Sequence, residues 1–154
     1  MVEDGNLQFT STVPIAGNNF SENIAKILGI STTKAEEVKK KVGIANTADY
    51  PNIKTAVLPV LNNLTAEIKS ILKFHNEHSQ KQVKRIVLIG GGALMKNLPQ
   101  FLSQEFPDFP GLIAELGNPW SALPALKNSK LPPDVALAFT TAIGLAIRGM
   151  DFSV

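Results

Sequence analysis

Cysteine is absent from the 154-residue chain. Its absence excludes a disulfide framework and any thiolate-built zinc site, and it is compatible with a reducing compartment. Tryptophan and tyrosine occur once each, too few to form a row of stacking platforms for nucleic-acid bases. A charge excess is also lacking. Lys and Arg number 15 against 13 Asp and Glu, a net charge of +2, without the basic surplus that marks a nucleic-acid-binding domain. No apolar run approaches the roughly 18 residues that begin to suggest a membrane span. The opening Met1-Val2-Glu3-Asp4-Gly5 is polar, unlike the charged and then apolar start of a secretory signal. What remains, 44% hydrophobic and 18% charged, is an ordinary globular composition, long enough for one domain with its own core.

Glu3-Asp4-Gly5-Asn6 reads as a turn. Residues 7–15, rich in Thr, Val and Phe, read as the strand that follows it, with Pro14 near its end. The start is therefore expected to be a hairpin whose first strand is absent, as in an excised piece of a longer chain. Phe20, Ile24, Ile27 and Leu28 fall at helical spacing before a stop at Gly29. Residues 31–43 begin with Ser/Thr caps, carry acids early and lysines late, and end at Gly43, an order that suits a helix dipole. A loop follows. Val57, Leu61, Leu64, Ile68, Ile71 and Leu72 then mark the longest helix, over 53–75, with Pro59 in a first turn or at a kink.

Residues 83–89 read as a buried strand, because the apolar run 86–89 within them is continuous. A helix is expected over 94–106, with Leu98, Phe101 and Leu102 on one face. A short strand is expected over 112–116, then a long Pro-containing loop, and a last helix capped by Asp134 and running through 150. Strands followed by helices point to an α/β sheet with helices packed on it.

Between the 83–89 strand and its helix lie Gly90, Gly91 and Gly92, in "RIVLIGGGALMKNLPQFL". Three glycines at a strand–helix corner remove every side chain that would block close approach of a ligand to the backbone. The competing reading is a tight corner that needs glycine for its dihedrals. The pattern is not the dinucleotide fingerprint, because position 95 is Met, and it lacks the Gly-Lys-Ser/Thr of a phosphate loop. Glu36 and Lys39 share a helix face and could accept from and donate to one polyhydroxyl ligand, or could form an exposed ion pair. His75, Glu77 and His78 do not close a metal site and read as a solvated helix end. No nucleophile–base–acid arrangement is defensible, so no catalytic residue and no metal ligand is assigned.

Five stretches in order, "VPIAGNNFSENIAKILGISTTKAEEVKKKVG", "LPVLNNLTAEIKSILKF", "IVLIGGGALMKNLPQFLSQEF", "ELGNPW" and "LAFTTAIGLAIRGM", resemble the PilM family of type IV pilus assembly proteins. These are actin-like ATPases related to the cell-division protein FtsA. The resemblance runs over residues 7–150. It implies an α/β, ribonuclease-H-like lobe with a mixed sheet and flanking helices, the second (C-terminal) lobe of a two-lobed ATPase, with 1–154 as a single lobe. In that family the glycine-rich corner packs on adenosine, which matches Gly90, Gly91 and Gly92. An Ala-Glu-x-x-Lys helix contacts the same nucleoside, which matches Ala35, Glu36 and Lys39. Two glycines lie near the phosphates; this chain has Ala16-Gly17, so Gly17 matches the second.

The resemblance further implies ATP with Mg²⁺ in the intact parent and two phosphate loops on parts not found here, so the chain alone is expected to be inactive. Its expected partners are the missing N-terminal lobe and inner-membrane pilus assembly proteins, with homo-oligomerisation left open. The expected location is cytoplasmic, peripheral at the inner membrane, without nucleic acid and without direct membrane insertion. The alternatives are an interaction module that binds no nucleotide and an FtsA-like cell-division relative.

Overall fold

The computed structural model describes residues 1–15, 17–121 and 131–151. The chain opens on a hairpin in which β1 (Val2–Glu3) pairs antiparallel with β2 (Asn6–Leu7). Asp4 and Gly5 between them take φ of 52° and 78°. Positive φ at both central residues is the two-residue hairpin turn that Asp-Gly favours. The first strand expected to be absent is thus present as two residues. The second is shorter than the expected 7–15, because beyond Leu7 the backbone leaves the ladder. β-branched residues favour an extended backbone, but a strand exists only where its N–H and C=O groups find a partner. Lys81 pins the hairpin through Glu3 at 3.3 Å and through Asp4, and Phe9 meets Phe74 edge-on at 5.7 Å.

Three helices follow: α1 (Gly17–Leu28), α2 (Thr32–Val42) and α3 (Ile53–His78). Ser31 caps α2, its hydroxyl accepting from the Lys34 N–H at 3.2 Å, and Gly43 ends it at φ 74°. α3 runs three residues past the expected end and carries Pro59 inside it. Helical spacing places Phe20 and Ile24 of α1, Ala35 and Val38 of α2, and Ile53, Val57 and Leu61 of α3 on inward faces, and these side chains form one core. α1 lies against both other helices.

β3 (Arg85–Leu88) and β4 (Ile113–Leu116) pair in parallel, Arg85 opposite Ile113 and Leu88 opposite Leu116. The α/β class stands, and both kinds of pairing of a mixed sheet occur, in two separate two-stranded sheets. The continuous apolar run around β3 is not buried on both faces. Ile86 and Leu88 pack on the core, whereas Val87 is 51% exposed. Among the described residues, only one face of this sheet is covered.

The connection from β3 to β4 starts with a 3-10 turn (Gly91–Leu94) and continues through α4 (Leu98–Gln104). The helix expected over 94–106 starts later because Asn97 takes a left-handed φ of 66°, which interrupts the right-handed path, and Pro99 then fits a first turn. Leu98 and Leu102 are buried as expected. The last helix is broken at Phe139 into α5 (Pro133–Ala138) and α6 (Thr140–Asp151). Pro132, not Asp134, holds the cap position of α5. Asp134 lies in the first turn, where an acid faces the positive end of the dipole. Of the expected Pro-containing loop, residues 122–130 lie outside the described residues.

Candidate functional site

Because β3 and β4 are parallel, both end on the same side, and open α/β sheets accept ligands at the carboxyl ends of their strands. Gly90 follows β3 there and Gly117 follows β4. Each is a glycine for a structural reason. Gly90 has φ +84°, a conformation that side-chain-bearing residues rarely adopt, and its N–H donates to the Leu137 carbonyl of α5 at 3.0 Å. At Gly117 an added Cβ would lie 2.7 Å from Ile89 Cγ2.

Gly91 and Gly92 differ from both. Neither has a positive φ, and a Cβ on either would meet nothing within 4 Å among the described residues. Neither dihedral angle nor crowding by the described residues requires glycine at these two positions. The tight-corner reading therefore accounts for Gly90 and leaves Gly91 and Gly92 bordering open space. Nearby, an open cavity of about 660 Å³ is lined by Leu94, Gly117, Trp120, Asp134 and Leu137 among others.

Gly17, Glu36 and Lys39 come together in a second group, although 22 residues separate the first from the last. The Lys39 ammonium donates to the Gly17 carbonyl at 3.0 Å, to Ser21 Oγ at 3.0 Å and to Glu36 Oε2 at 2.5 Å. Ser21 Oγ in turn donates to Glu36 Oε2 at 2.5 Å. The Lys39 side chain is 8% exposed and that of Glu36 38%. The exposed ion pair considered from spacing is therefore corrected: the lysine is inside, because α1 lies over this face of α2. Burial pushes the Glu36 carboxyl up. The hydrogen bonds from Lys39 and Ser21, the Lys39 charge and a hydrogen bond from Lys40 together outweigh it, and the carboxyl titrates below its ordinary range. Ala16, beside Gly17, lies outside the described residues.

The two groups occupy different parts of the fold. The corner bonds to α5 and borders the cavity, and Glu36 and Lys39 are not among that cavity's lining. The end of α2 touches the segment that follows the corner. There the Ile44 N–H donates to the Lys96 carbonyl at 3.3 Å, and Gly43 sits so close to Lys96 that an added Cβ would overlap its carbonyl. Lys39 lies about 6 Å along the helix axis from Gly43 at 1.5 Å per residue.

The histidines are engaged elsewhere. His75 is buried rather than solvated, and its Nε2 donates to the Lys81 carbonyl at 3.0 Å. His78 donates to the Phe74 carbonyl and stacks on the Phe74 ring. Among the described residues no three His, Cys, Asp or Glu side chains converge to hold a metal ion.

Ser21 went unremarked in the sequence. Its signal was available, since 17, 20, 21 and 24 share one face of α1 and a serine amid buried Phe20 and Ile24 must find polar partners.

A family model described as type IV pilus assembly protein PilM matches residues 1–150. Among solved structures, a PilM–PilN type IV pilus biogenesis complex is similar over 88% of this chain, with 32% identity and a TM-score of 0.66. The chain spans 37% of the length of that structure's chain. No curated protein sequence matches it.

Proposed function

The chain belongs to the PilM family of type IV pilus assembly proteins, and from that membership we propose that it supplies the adenosine-facing wall of an ATP-binding cleft. One observation carries the reading. Gly91 and Gly92 stand at the carboxyl end of a parallel strand, where nothing in the packing of the described residues calls for glycine. A nucleoside that lies on the backbone would call for it. Glu36 adds an accepting carboxylate, half-exposed and ionised, which suits a ribose hydroxyl. Gly17 belongs to the turn that borders the phosphates in this reading.

In the same reading the rest of the cleft is contributed by chain beyond the 37% of the relative that this sequence spans. Mg²⁺ would then enter with the phosphates; among the described residues no three His, Cys, Asp or Glu side chains converge to hold it. The chain alone turns over no ATP. By the same likeness, the whole protein works with a PilN-like partner in pilus assembly and resides in the cytoplasm at the inner membrane through that partner. Among the described residues no helix is long and apolar enough to cross a membrane.

The test is a titration of this chain with ATP, before and after Gly91→Val. One wall supplies part of the contacts while the cost of fixing the ligand stays whole. The expected Kd is therefore nearer millimolar than micromolar, about −4 rather than −8 kcal/mol. Gly91→Val should leave the melting temperature within about 2 °C, since the added side chain points into open space, and should remove the binding. Unchanged ATP affinity in the variant would overturn the nucleotide reading in favour of an interaction module.

A further inference from the structure

The parallel sheet ends differently at its two edges. The Ile113 N–H donates to the Lys84 carbonyl at 3.1 Å, and the Gly117 N–H to the Leu88 carbonyl at 2.8 Å. Backbone groups alternate sides along a strand, so Lys84, Ile86 and Leu88 turn theirs to β4. Arg85, Val87 and Ile89 turn theirs the other way, where β3 has no neighbouring strand among the described residues. The far edge of β4 is closed instead. There the Ala114 N–H donates to Ser103 Oγ at 2.9 Å, and α4 packs against the strand.

An open row of N–H and C=O groups is a template for a further strand. The charges that usually blunt such an edge stand only at its start, on Lys84 and Arg85. Val87 and Ile89 complete it, 51% and 52% exposed. An open cavity of about 710 Å³, lined by Val2 and Glu3 of the hairpin and by Arg85 and Val87, leaves room beside it.

We propose that the β3 edge is an interface between two copies of this chain, paired antiparallel about a two-fold axis at Val87. The edge is complementary to itself, because residues 85, 87 and 89 of each copy offer both donors and acceptors to the other. Charge agrees with this register. Arg85 faces Ile89 of the second copy, and the two Arg85 residues lie about 14 Å apart, four residues at about 3.4 Å each. That exceeds the screening length of about 8 Å at physiological salt. Each arginine keeps its own Glu115, at 3.3 Å. The closed β4 edge then stops the pairing at two copies, as a four-stranded sheet. The proposal rests on the strand edge and not on the nucleotide reading.

Sedimentation equilibrium of the chain should show monomers and dimers exchanging with a Kd of about 100 µM, the weak range expected of a contact below standard interface size. Val87→Pro removes an N–H that points away from β4, a change edge strands tolerate. It should raise the Kd at least about tenfold and leave the β3–β4 ladder intact. Val87→Glu sets two carboxylates opposite each other, and carries the test if Val87→Pro fails to fold. The chain has no cysteine, so an introduced one reports a single position. Directly opposed residues of this kind have Cα atoms about 5.5 Å apart, within disulfide reach. Val87→Cys should therefore oxidise to a linked dimer, and Gln100→Cys, exposed on α4, should not.

A chain that stays monomeric at about 1 mM, ten times that Kd, would overturn the proposal and leave the edge to a strand of other origin. A dimer that survives both Val87→Pro and Val87→Glu, or that links through Gln100→Cys and not Val87→Cys, would place the contact elsewhere and overturn it as well.

Discussion

The helical half of the molecule, α1 to α3, and the strand half, β3 to α6, bury their apolar side chains to different degrees. Of the five largest fully buried side chains, Ile24, Ile53, Leu61 and Val57 belong to the first half, and only Leu102 of α4 to the second. Large apolar side chains left exposed are concentrated in the second, among them Val87, Ile89, Ile113, Phe139 and Leu145. The cause lies in geometry. Three amphipathic helices can point their stripes at one another and close a core. A parallel pair of strands is ordinarily covered on both faces, and here, among the described residues, one face is. The polar clamp at Glu36 is built on the closed half, where rotamers are fixed by packing. The glycine corner is built on the half with open space beside it.

The largest effect that could break this contrast is a truncation in each half. Leu61→Ala empties a position with 0% exposure and should cost about 2–5 kcal/mol. Val87→Ala, on the open sheet face, should cost about 0.5 kcal/mol or less. Chemical denaturation of both variants measures the difference, and similar costs would mean that the sheet face is as well covered as the helical core.

A smaller effect is expected where the halves meet. Gly43→Ala combines a φ of +74° with a Cβ that would overlap the Lys96 backbone. Strain and overlap together should cost about 1–3 kcal/mol. Amide exchange should accelerate at Ile44, whose N–H bonds to Lys96, and a neutral substitution would show that the junction between the halves yields easily.

Acid should produce the smallest and most local change. The Glu36 carboxyl is held below its ordinary value of 4.5 in the folded chain. The stability it contributes is therefore present above that value and lost as pH falls through the lower, folded one. Amide exchange around Gly17 and Ser21 should quicken below about pH 4.5, more in the wild type than in Glu36→Gln. Equal acid sensitivity in the two would place the lost stability elsewhere.

The halves also differ in how much of each is legible in the sequence. In the helical half, period-3.6 spacing identifies all three helices, and Ser31 and Gly43 mark the ends of α2, because caps and amphipathic stripes are local properties. The Asp-Gly turn is local too, and it formed. In the strand half the apolar run 86–89 carries no information on how many of its faces are covered, since that depends on what packs there. Asn97 and Phe139 interrupt helices that periodicity alone would continue. At the candidate site the sequence singles out Glu36, Lys39 and Gly17 but not that one ammonium joins them. That joining depends on α1 lying over α2, which brings Glu36 and Lys39 to Ser21.

Amide mapping of the isotopically labelled chain during an ATP titration tests the central claim most directly. The account predicts that the resonances that move belong to Gly91 and Gly92 at the corner and to the Gly17–Glu36 side of the α1–α2 pair, with saturation in the millimolar range, about −4 kcal/mol. Movement confined to other surfaces, such as the hairpin and the Arg85–Val87 edge, or no movement at that concentration, would contradict it.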